Sequence, residues 1–177
     1  RLSVRIGITT GEAMVGNCGS TQRMDYTAVG DCVNLASRLE EACKFFGARV
    51  LLDEATWRAG GDSSLPARPL GRVYVAGLSE PVRIWEVLGA AEDGSPELRA
   101  ALDDFAAAVD RFEARDFEQA ERRLRRVLAA FPDDRAAQVY LDLCRQEAAG
   151  AVDEQPRPSK ADGVVRVVRP RGAATAP

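Results

Sequence analysis

A short strand leads directly into a helix in the sequence Asp25-Tyr26-Thr27-Ala28-Val29-Gly30-Asp31-Cys32-Val33-Asn34-Leu35-Ala36-Ser37-Arg38-Leu39-Glu40. The run Asp25–Val29 has the composition of a strand, and Asp31 is a residue type favoured at helix N-termini. One apolar helix face is predicted at the spacing i, i+4, i+7, i+8 and i+11, and it consists of Leu35, Leu39, Ala42, Cys43 and Phe46. Gly47 is placed to end this helix. The sequence therefore predicts a strand followed by a helix that faces the core.

A hairpin is predicted before this stretch. Residues 2–9 alternate between apolar side chains and polar residues or glycine, which is typical of a half-buried strand. Thr10-Gly11 is a turn signal, so Ala13–Gly16 is predicted to return as the second strand of a hairpin. A polar loop over Asn17–Gln22 is predicted to follow it.

After the helix, short strands alternate with turns. Arg49–Leu52 predicts a strand, Asp53–Arg58 a single helical turn, and Ala59–Arg68 a loop. Gly71–Val75 and Val82–Val87 are predicted to pair across the turn between them.

The chain divides into three segments where its composition changes. Residues 1–91 are predicted to be mixed α/β, and residues 92–150 to be helical throughout. Residues 151–177 are rich in Pro, Gly, Ala and Arg and are predicted to be a disordered tail, although Val164–Val168 could pair as an edge strand.

Three helices are predicted in the middle segment. Ser95 with Pro96 opens the first, Asp116 caps the second, and the third follows Phe131-Pro132. Small or turn residues recur every twelve positions, as in one tetratricopeptide-like (TPR-like) repeat, at Ala108, Ala120 and Pro132. The alternative is a plain α-hairpin packed on its neighbour.

The overall composition excludes several classes of protein. The chain has 177 residues, a formal net charge of -3 and 46% apolar residues, which fits a folded protein and argues against a nucleic-acid binder. The run Arg122–Arg126 lies in an acidic segment and predicts a solvated helix face. No run approaches the roughly 18 apolar residues of a membrane span. The four cysteines lack metal-site spacing and histidine is absent, so we expect reduced thiols and a cytoplasmic location.

Two polar side chains on the predicted helix are candidate site residues. Gly11–Gly16 has the glycine spacing of a phosphate-binding loop, but Asn17 stands where that loop requires lysine. Asn34 and Arg38 lie four residues apart on one face near the helix start, where backbone amides favour anions. Both could donate hydrogen bonds to phosphate oxygens. By spacing alone, a solvated polar edge is the more common explanation of such a pair.

Three blocks follow one another along the chain, namely Val4–Glu12, Gly16–Ser20 and Asp25–Glu40. Their order and spacing resemble the C-terminal half of a class III adenylate/guanylate cyclase catalytic domain, and Gly71–Leu88 is similar to its closing hairpin. The resemblance implies a ferredoxin-like α/β (α+β) nucleotide cyclase core, incomplete at the N-terminus. The helical TPR-like extension and the tail would follow this core.

The resemblance also implies a reaction and roles for residues. Such domains close ATP or GTP into the cyclic nucleotide with loss of pyrophosphate, at the interface of a homodimer. Asn34 and Arg38 stand at the positions that support the transition state, with the amide orienting the ribose and the guanidinium holding a phosphate oxygen. Thr27 stands at the purine contact, which implies ATP in preference to GTP.

Several parts of the family's machinery are not in this sequence. Its two Mg²⁺ or Mn²⁺ ions are held by aspartates upstream of this half, so no metal ligand is assigned in this chain. A lysine of the last hairpin that contacts the triphosphate is replaced by Ala76-Gly77-Leu78, and Arg72 is the substitute we name. Because the chain opens at Arg1 within a strand pattern, we expect a fragment that is inactive by itself.

An alternative function stays open at this point. The departure at Ala76-Gly77-Leu78 would also suit a degenerate, cyclase-like regulatory or scaffolding module whose helices bind a protein partner. A weaker alternative has Arg157–Arg171 of the tail binding acidic surfaces. The parent protein could be membrane-anchored with this part on the cytoplasmic side, and neither its anchor nor its input signal is visible in the sequence.

Overall fold

Two sheets and five helices are formed by the residues described in the computed structural model, which are 4–20, 23–60, 66–75, 78–88, 95–148 and 165–166. The strands are β1 (Ile6–Ile8), β2 (Met14–Ser20), β3 (Arg23–Val29), β4 (Val50–Asp53), β5 (Ala67–Tyr74), β6 (Val82–Val87) and β7 (Val165–Arg166). The helices are α1 (Asp31–Phe46), α2 (Glu54–Ala59), α3 (Pro96–Glu113), α4 (Phe117–Ala130) and α5 (Arg135–Ala148). The mixed α/β class with a helical C-terminal part is confirmed.

The sheet topology corrects the hairpin prediction. Five strands form one sheet in the order β1-β4-β6-β5-β7, while β2 and β3 form a separate antiparallel ribbon. β1 pairs with β4 in parallel and not with Ala13–Gly16, so the turn signal at Thr10-Gly11 does not close a hairpin. The predicted loop at Asn17–Gln22 is wrong over residues 17–20, which belong to β2. The loop error arises because the described residues of the ribbon are largely exposed on both faces and so show no alternating pattern. The hairpin error arises because the alternation of residues 2–9 predicts a strand but not its partner.

Helix α1 is confirmed as the core-facing helix. Its buried side chains include four of the five predicted positions, namely Leu39, Ala42, Cys43 and Phe46. Gly47 ends it in the left-handed conformation, with φ 71°. Asp31 is the first helical residue, but the N-cap position itself is Gly30 and carries no side-chain cap.

The hairpin β5–β6 and the helix caps also follow the sequence pattern. Val82–Val87 has the predicted bounds, whereas β5 begins at Ala67, inside the predicted loop. Asp53 caps α2 by accepting a hydrogen bond from the Thr56 amide at 2.9 Å. Ser95 caps α3 and Asp116 caps α4 in the same manner.

One hydrophobic core joins the sheet to the C-terminal helices. It contains residues of α1, β5 and β6 together with residues of α3, α4 and α5, as Leu39, Leu70 and Ile84 share one cluster with Val109 and Tyr140. The arginines of α4 face outward and pair with nearby carboxylates, among them Glu121 and Asp104, as a solvated helix face does.

Two residues of the predicted tail are ordered. β7 pairs in parallel with β5, and Val165 is buried, so the prediction of disorder is wrong at Val165–Arg166 and the edge-strand alternative holds there. The other residues of 151–177 lie outside the described part of the chain. Among the described residues, no helix combines the length and apolar character needed to cross a membrane.

Candidate functional site

The connection from β3 to α1 carries three of the four predicted site residues. Thr27 lies on β3 opposite Gly16 of β2 and is exposed. Asn34 lies near the start of α1 and is exposed, and Arg38 follows one turn later. The Arg38 side chain is 36% exposed, and its Nη1 lies 3.4 Å from Oε2 of Glu41. The structure thus places an amide and a guanidinium on one accessible helix face, directly after the strand that bears Thr27.

Gly7 of β1 allows α1 to lie unusually close to the sheet. A Cβ atom at this position would come within 2.2 Å of the Ala36 carbonyl oxygen and 2.8 Å of Leu39 Cβ. Only a residue without a side chain fits there. This close contact therefore sets the distance between β1 and the part of α1 that carries Asn34 and Arg38.

The start of α1 is tied to the end of β1 by hydrogen bonds that the sequence pattern did not indicate. The Thr9 hydroxyl donates to the Cys32 carbonyl oxygen at 2.7 Å, and the Cys32 thiol donates to the Glu12 carbonyl oxygen at 3.2 Å. Gly30 also lies against this segment, since a Cβ there would be 2.8 Å from the same Glu12 oxygen. The Thr10-Gly11 turn signal marks the segment, but its partner in the fold is the helix start and not a strand.

Arg72 lies apart from the other predicted site residues. It belongs to β5, which two strands separate from β1 in the sheet. Its backbone amide donates to Glu113 Oε1 at 2.8 Å, and its Nε lies 3.8 Å from the same oxygen. Arg72 therefore faces the end of α3, while Thr27, Asn34 and Arg38 cluster around the start of α1. The substitution noted at Ala76-Gly77-Leu78 falls outside the described residues at positions 76 and 77.

The thiols near the core are not candidate nucleophiles. Burial raises the pKa of Cys43 to about 11, and burial likewise raises the pKa of Cys144 to about 12. Both thiols are therefore protonated at neutral pH, and a protonated thiol neither attacks substrates nor binds metals.

The acidic and cysteine side chains of the described residues were also compared for metal-binding arrangements. Within the described ranges, no three Cys, Asp or Glu side chains come together in a way that could hold a metal ion. The resemblance implies that the ligands of the two metal ions lie upstream of this half of the domain. What the β3–α1 unit can provide is hydrogen-bond donors for an anionic ligand.

Comparisons with known proteins place the first half of the chain in a family. Residues 1–88 match the family described as the adenylate and guanylate cyclase catalytic domain. The adenylate cyclase, terminal-differentiation specific, of Dictyostelium discoideum is 34% identical over 144 residues, which cover 80% of this chain and 7% of that protein. Adenylate cyclase 1 of Rhizobium meliloti is 45% identical over 85 residues, covering 48% of this chain and 13% of the relative.

A solved structure was also found, that of the adenylyl cyclase CyaB from P. aeruginosa. It is 39% identical, with a TM-score of 0.42 over 51% of this chain and 45% of that chain. The chain spans less than a fifth of the length of the two curated relatives named above. The Dictyostelium match is longer than the 88-residue family match, so similarity to that relative continues into the helical segment. Residues 1–88 belong to the family of adenylate and guanylate cyclase catalytic domains.

Proposed function

We propose that this chain supplies one side of an adenylate cyclase active site, which converts ATP into cyclic AMP and pyrophosphate. The observation that carries the proposal is the placement of the exposed Asn34 and the half-buried Arg38 one turn apart on α1, inside the segment matched to the cyclase family. In this reaction the ribose 3′-oxygen loses its proton and bonds to the α-phosphorus, and the bond to pyrophosphate breaks.

Charge accumulates on the phosphate oxygens in such a transition state, and preorganised donors are most effective there. Arg38 would hold one of these oxygens, and the amide of Asn34 would orient the ribose. The 3.4 Å contact of Arg38 with Glu41 is long for a charged hydrogen bond, so the guanidinium can exchange it for a phosphate oxygen.

Substrate choice is assigned to Thr27, which would contact the adenine edge and favour ATP over GTP. Arg72 remains the proposed contact for the triphosphate. Because its main chain and side chain both face Glu113, a triphosphate bound there would compete with that carboxylate. We assign the Mg²⁺ or Mn²⁺ ions to aspartates upstream of this half of the domain, as the family resemblance implies.

We further propose that the active unit is a homodimer in the cytoplasm, with each site between two copies. The β2–β3 ribbon supports this, because it exposes large apolar side chains that a partner would cover. Met14 is 77% exposed and Tyr26 is 75% exposed. With the metal ligands elsewhere, the 177-residue chain alone should form no cyclic nucleotide.

The test is an assay of cyclic nucleotide formation by the full-length protein that contains this chain, with ATP and GTP supplied separately in Mn²⁺. We expect ATP to be the faster substrate. Arg38→Ala should lower kcat by about 100- to 1000-fold, as expected for the loss of one preorganised donor to the transition state.

Arg58→Ala is the matched control, because Arg58 also pairs with a glutamate on its own helix, Glu54, at 2.7 Å. It should leave kcat unchanged. Near-normal kcat in Arg38→Ala would refute the assigned role. A folded full-length protein that converts neither ATP nor GTP would instead favour the regulatory module whose helices bind a protein partner.

A further inference from the structure

The C-terminal helices cover one face of the β5–β6 hairpin. The helical segment is defined here as residues 95–148, and the cyclase half as residues 4–88. α3 packs directly on β5, and the Tyr140 hydroxyl of α5 donates to the Leu70 carbonyl oxygen of β5. This hydroxyl is fully buried, and burial raises its pKa. The contact is therefore a neutral hydrogen bond in the core and not a surface contact.

A buried charge lies at the centre of this contact. Arg68 of β5 is 5% exposed, and it donates to Glu86 of β6 at 2.8 Å. The same guanidinium donates to both carboxylate oxygens of Asp134, at 2.5 and 2.9 Å, and lies 4.1 Å above the Phe105 ring. Asp134 and Phe105 belong to the helical segment, so two of the three groups around the Arg68 cation come from there.

Asp134 stabilises the charged form of Arg68. Burial alone would lower the pKa of Arg68, but the hydrogen bonds that it donates to Asp134 and the charges of Glu86 and Asp134 outweigh burial and raise that pKa. A buried cation that loses one of two carboxylates is far more costly than an exposed one. The cyclase half alone would therefore keep Arg68 beside Glu86 only.

A second ionic contact lies at the other end of the same interface. Glu113, the last residue of α3, accepts from the Arg72 backbone amide at 2.8 Å and from Arg83 Nη2 at 3.0 Å. Its carboxylate thus ties β5 and β6 to the same helix. Together the two ionic contacts and the Tyr140 hydrogen bond run along the length of the hairpin.

We propose that the helical segment binds the β5–β6 hairpin of its own chain as an obligate part of the cyclase fold, with Asp134 as the counter-ion that the buried Arg68 requires. The occupant of this helix surface is thus the chain's own sheet and not a separate protein. The longer match to the Dictyostelium relative supports this, because similarity to it continues past the family-matched residues.

The test exploits the positions of the tryptophans. The chain has two, Trp57 and Trp85, which stack at 4.6 Å between ring centroids and both lie in the cyclase half. Tryptophan fluorescence during urea unfolding of the 177-residue chain therefore reports on the cyclase half alone. Asp134→Asn removes the charge next to Arg68 but keeps a side chain that can cap α5, as Asp134 does by accepting from the Ala137 amide. We expect this variant to lower the fluorescence midpoint by about 1–2 M urea.

Asp116→Asn is the matched control. Asp116 also caps a helix of the same segment, accepting from the Gln119 amide at 3.3 Å, and its ion pair with Arg111 lies within that segment too. The control should leave the fluorescence midpoint within about 0.3 M of the parent chain. Tyr140→Phe, a milder change, should lower the midpoint by about 0.5 M because it removes only the hydroxyl that meets Leu70.

Hydrogen exchange at the Arg72 amide gives a second measurement, since that amide donates to Glu113. It should speed up in Asp134→Asn and not in Asp116→Asn. If Asp134→Asn is too unstable to purify, a lowered midpoint in Tyr140→Phe supports the proposal by itself. An unchanged fluorescence midpoint in Tyr140→Phe or Asp134→Asn, or equal shifts in Asp134→Asn and Asp116→Asn, would overturn it.

Discussion

Replacing Gly71 with alanine perturbs the interface between the sheet and the helices by a single methyl group. Gly71 is buried at a bulge of β5 and has φ 73°, a left-handed conformation that costs an L-residue about 1–2 kcal/mol. The added Cβ would lie 2.8 Å from Val109 Cγ1, 2.9 Å from Glu113 Oε1 and 3.2 Å from the Tyr140 hydroxyl. Overpacking of this kind costs about 1–3 kcal/mol. We therefore expect Gly71→Ala to lower the free energy of unfolding by about 2–5 kcal/mol.

Urea unfolding followed by tryptophan fluorescence measures this change. Gly16→Ala is the control, because a Cβ at Gly16 on β2 would meet no atom within 4 Å. That variant should be neutral or gain up to about 1 kcal/mol, since alanine restricts the unfolded chain more than glycine does. If Gly71→Ala loses less than about 0.5 kcal/mol, the close packing of β5 against α3 and α5 is refuted.

Two further predictions concern buried ionisable groups. In the native protein a thiol reagent should modify the exposed Cys18 quickly. Cys43 and Cys144 should react only on unfolding, because burial raises their pKa values to about 11 and about 12. Rapid modification of either thiol in the native protein would contradict its burial. Burial raises the pKa of Glu86 above its ordinary 4.5, although the charge of Arg68 opposes this shift. Because the folded state then holds the proton more tightly than the unfolded state, the stabilising contribution of this carboxyl is fully present below pH 4.5. It is lost as the pH rises through the folded-state pKa. Glu86→Gln should remove that part of the pH dependence of the unfolding free energy in urea titrations, and an unchanged pH profile would show that Glu86 does not titrate in this way.

The elements that the sequence predicted best are those with a buried stripe or a cap. The stripe from Leu35 to Phe46 and the stop at Gly47 define α1 without knowledge of its neighbours, because a helix that covers a core must repeat its apolar side chains at this spacing. The caps at Ser95 and Asp116 are equally local, since each side chain accepts a hydrogen bond from an amide three residues ahead.

The pairing of the strands could not be predicted in the same way. β1 pairs with β4, more than 40 residues away, and nothing within residues 2–9 distinguishes that partner from a nearby strand. Asn17–Ser20 belong to β2, but their polar and glycine residues show no strand pattern, because the described residues of the ribbon are largely exposed.

The candidate site was predicted in part. Thr27, Asn34 and Arg38 were located through a family resemblance, and the structure brings all three to the β3–α1 connection. The residues that hold this connection in place, Thr9 above all, act through backbone carbonyls, which a sequence does not display. The partner of Arg72 was equally hidden, because Glu113 lies 41 residues further along the chain.

The ion pair between Arg68 and Asp134 predicts which residue related proteins carry at position 68. One partner lies within the residues matched to the catalytic family and the other lies outside them. A lineage that lost the helices would retain an arginine in the core without its second carboxylate, and selection would then favour a smaller, uncharged residue on β5. Arginine at position 68 should therefore occur in relatives that keep the helices and be replaced in those that lack them, so this one position can serve as a marker of which relatives share the whole unit.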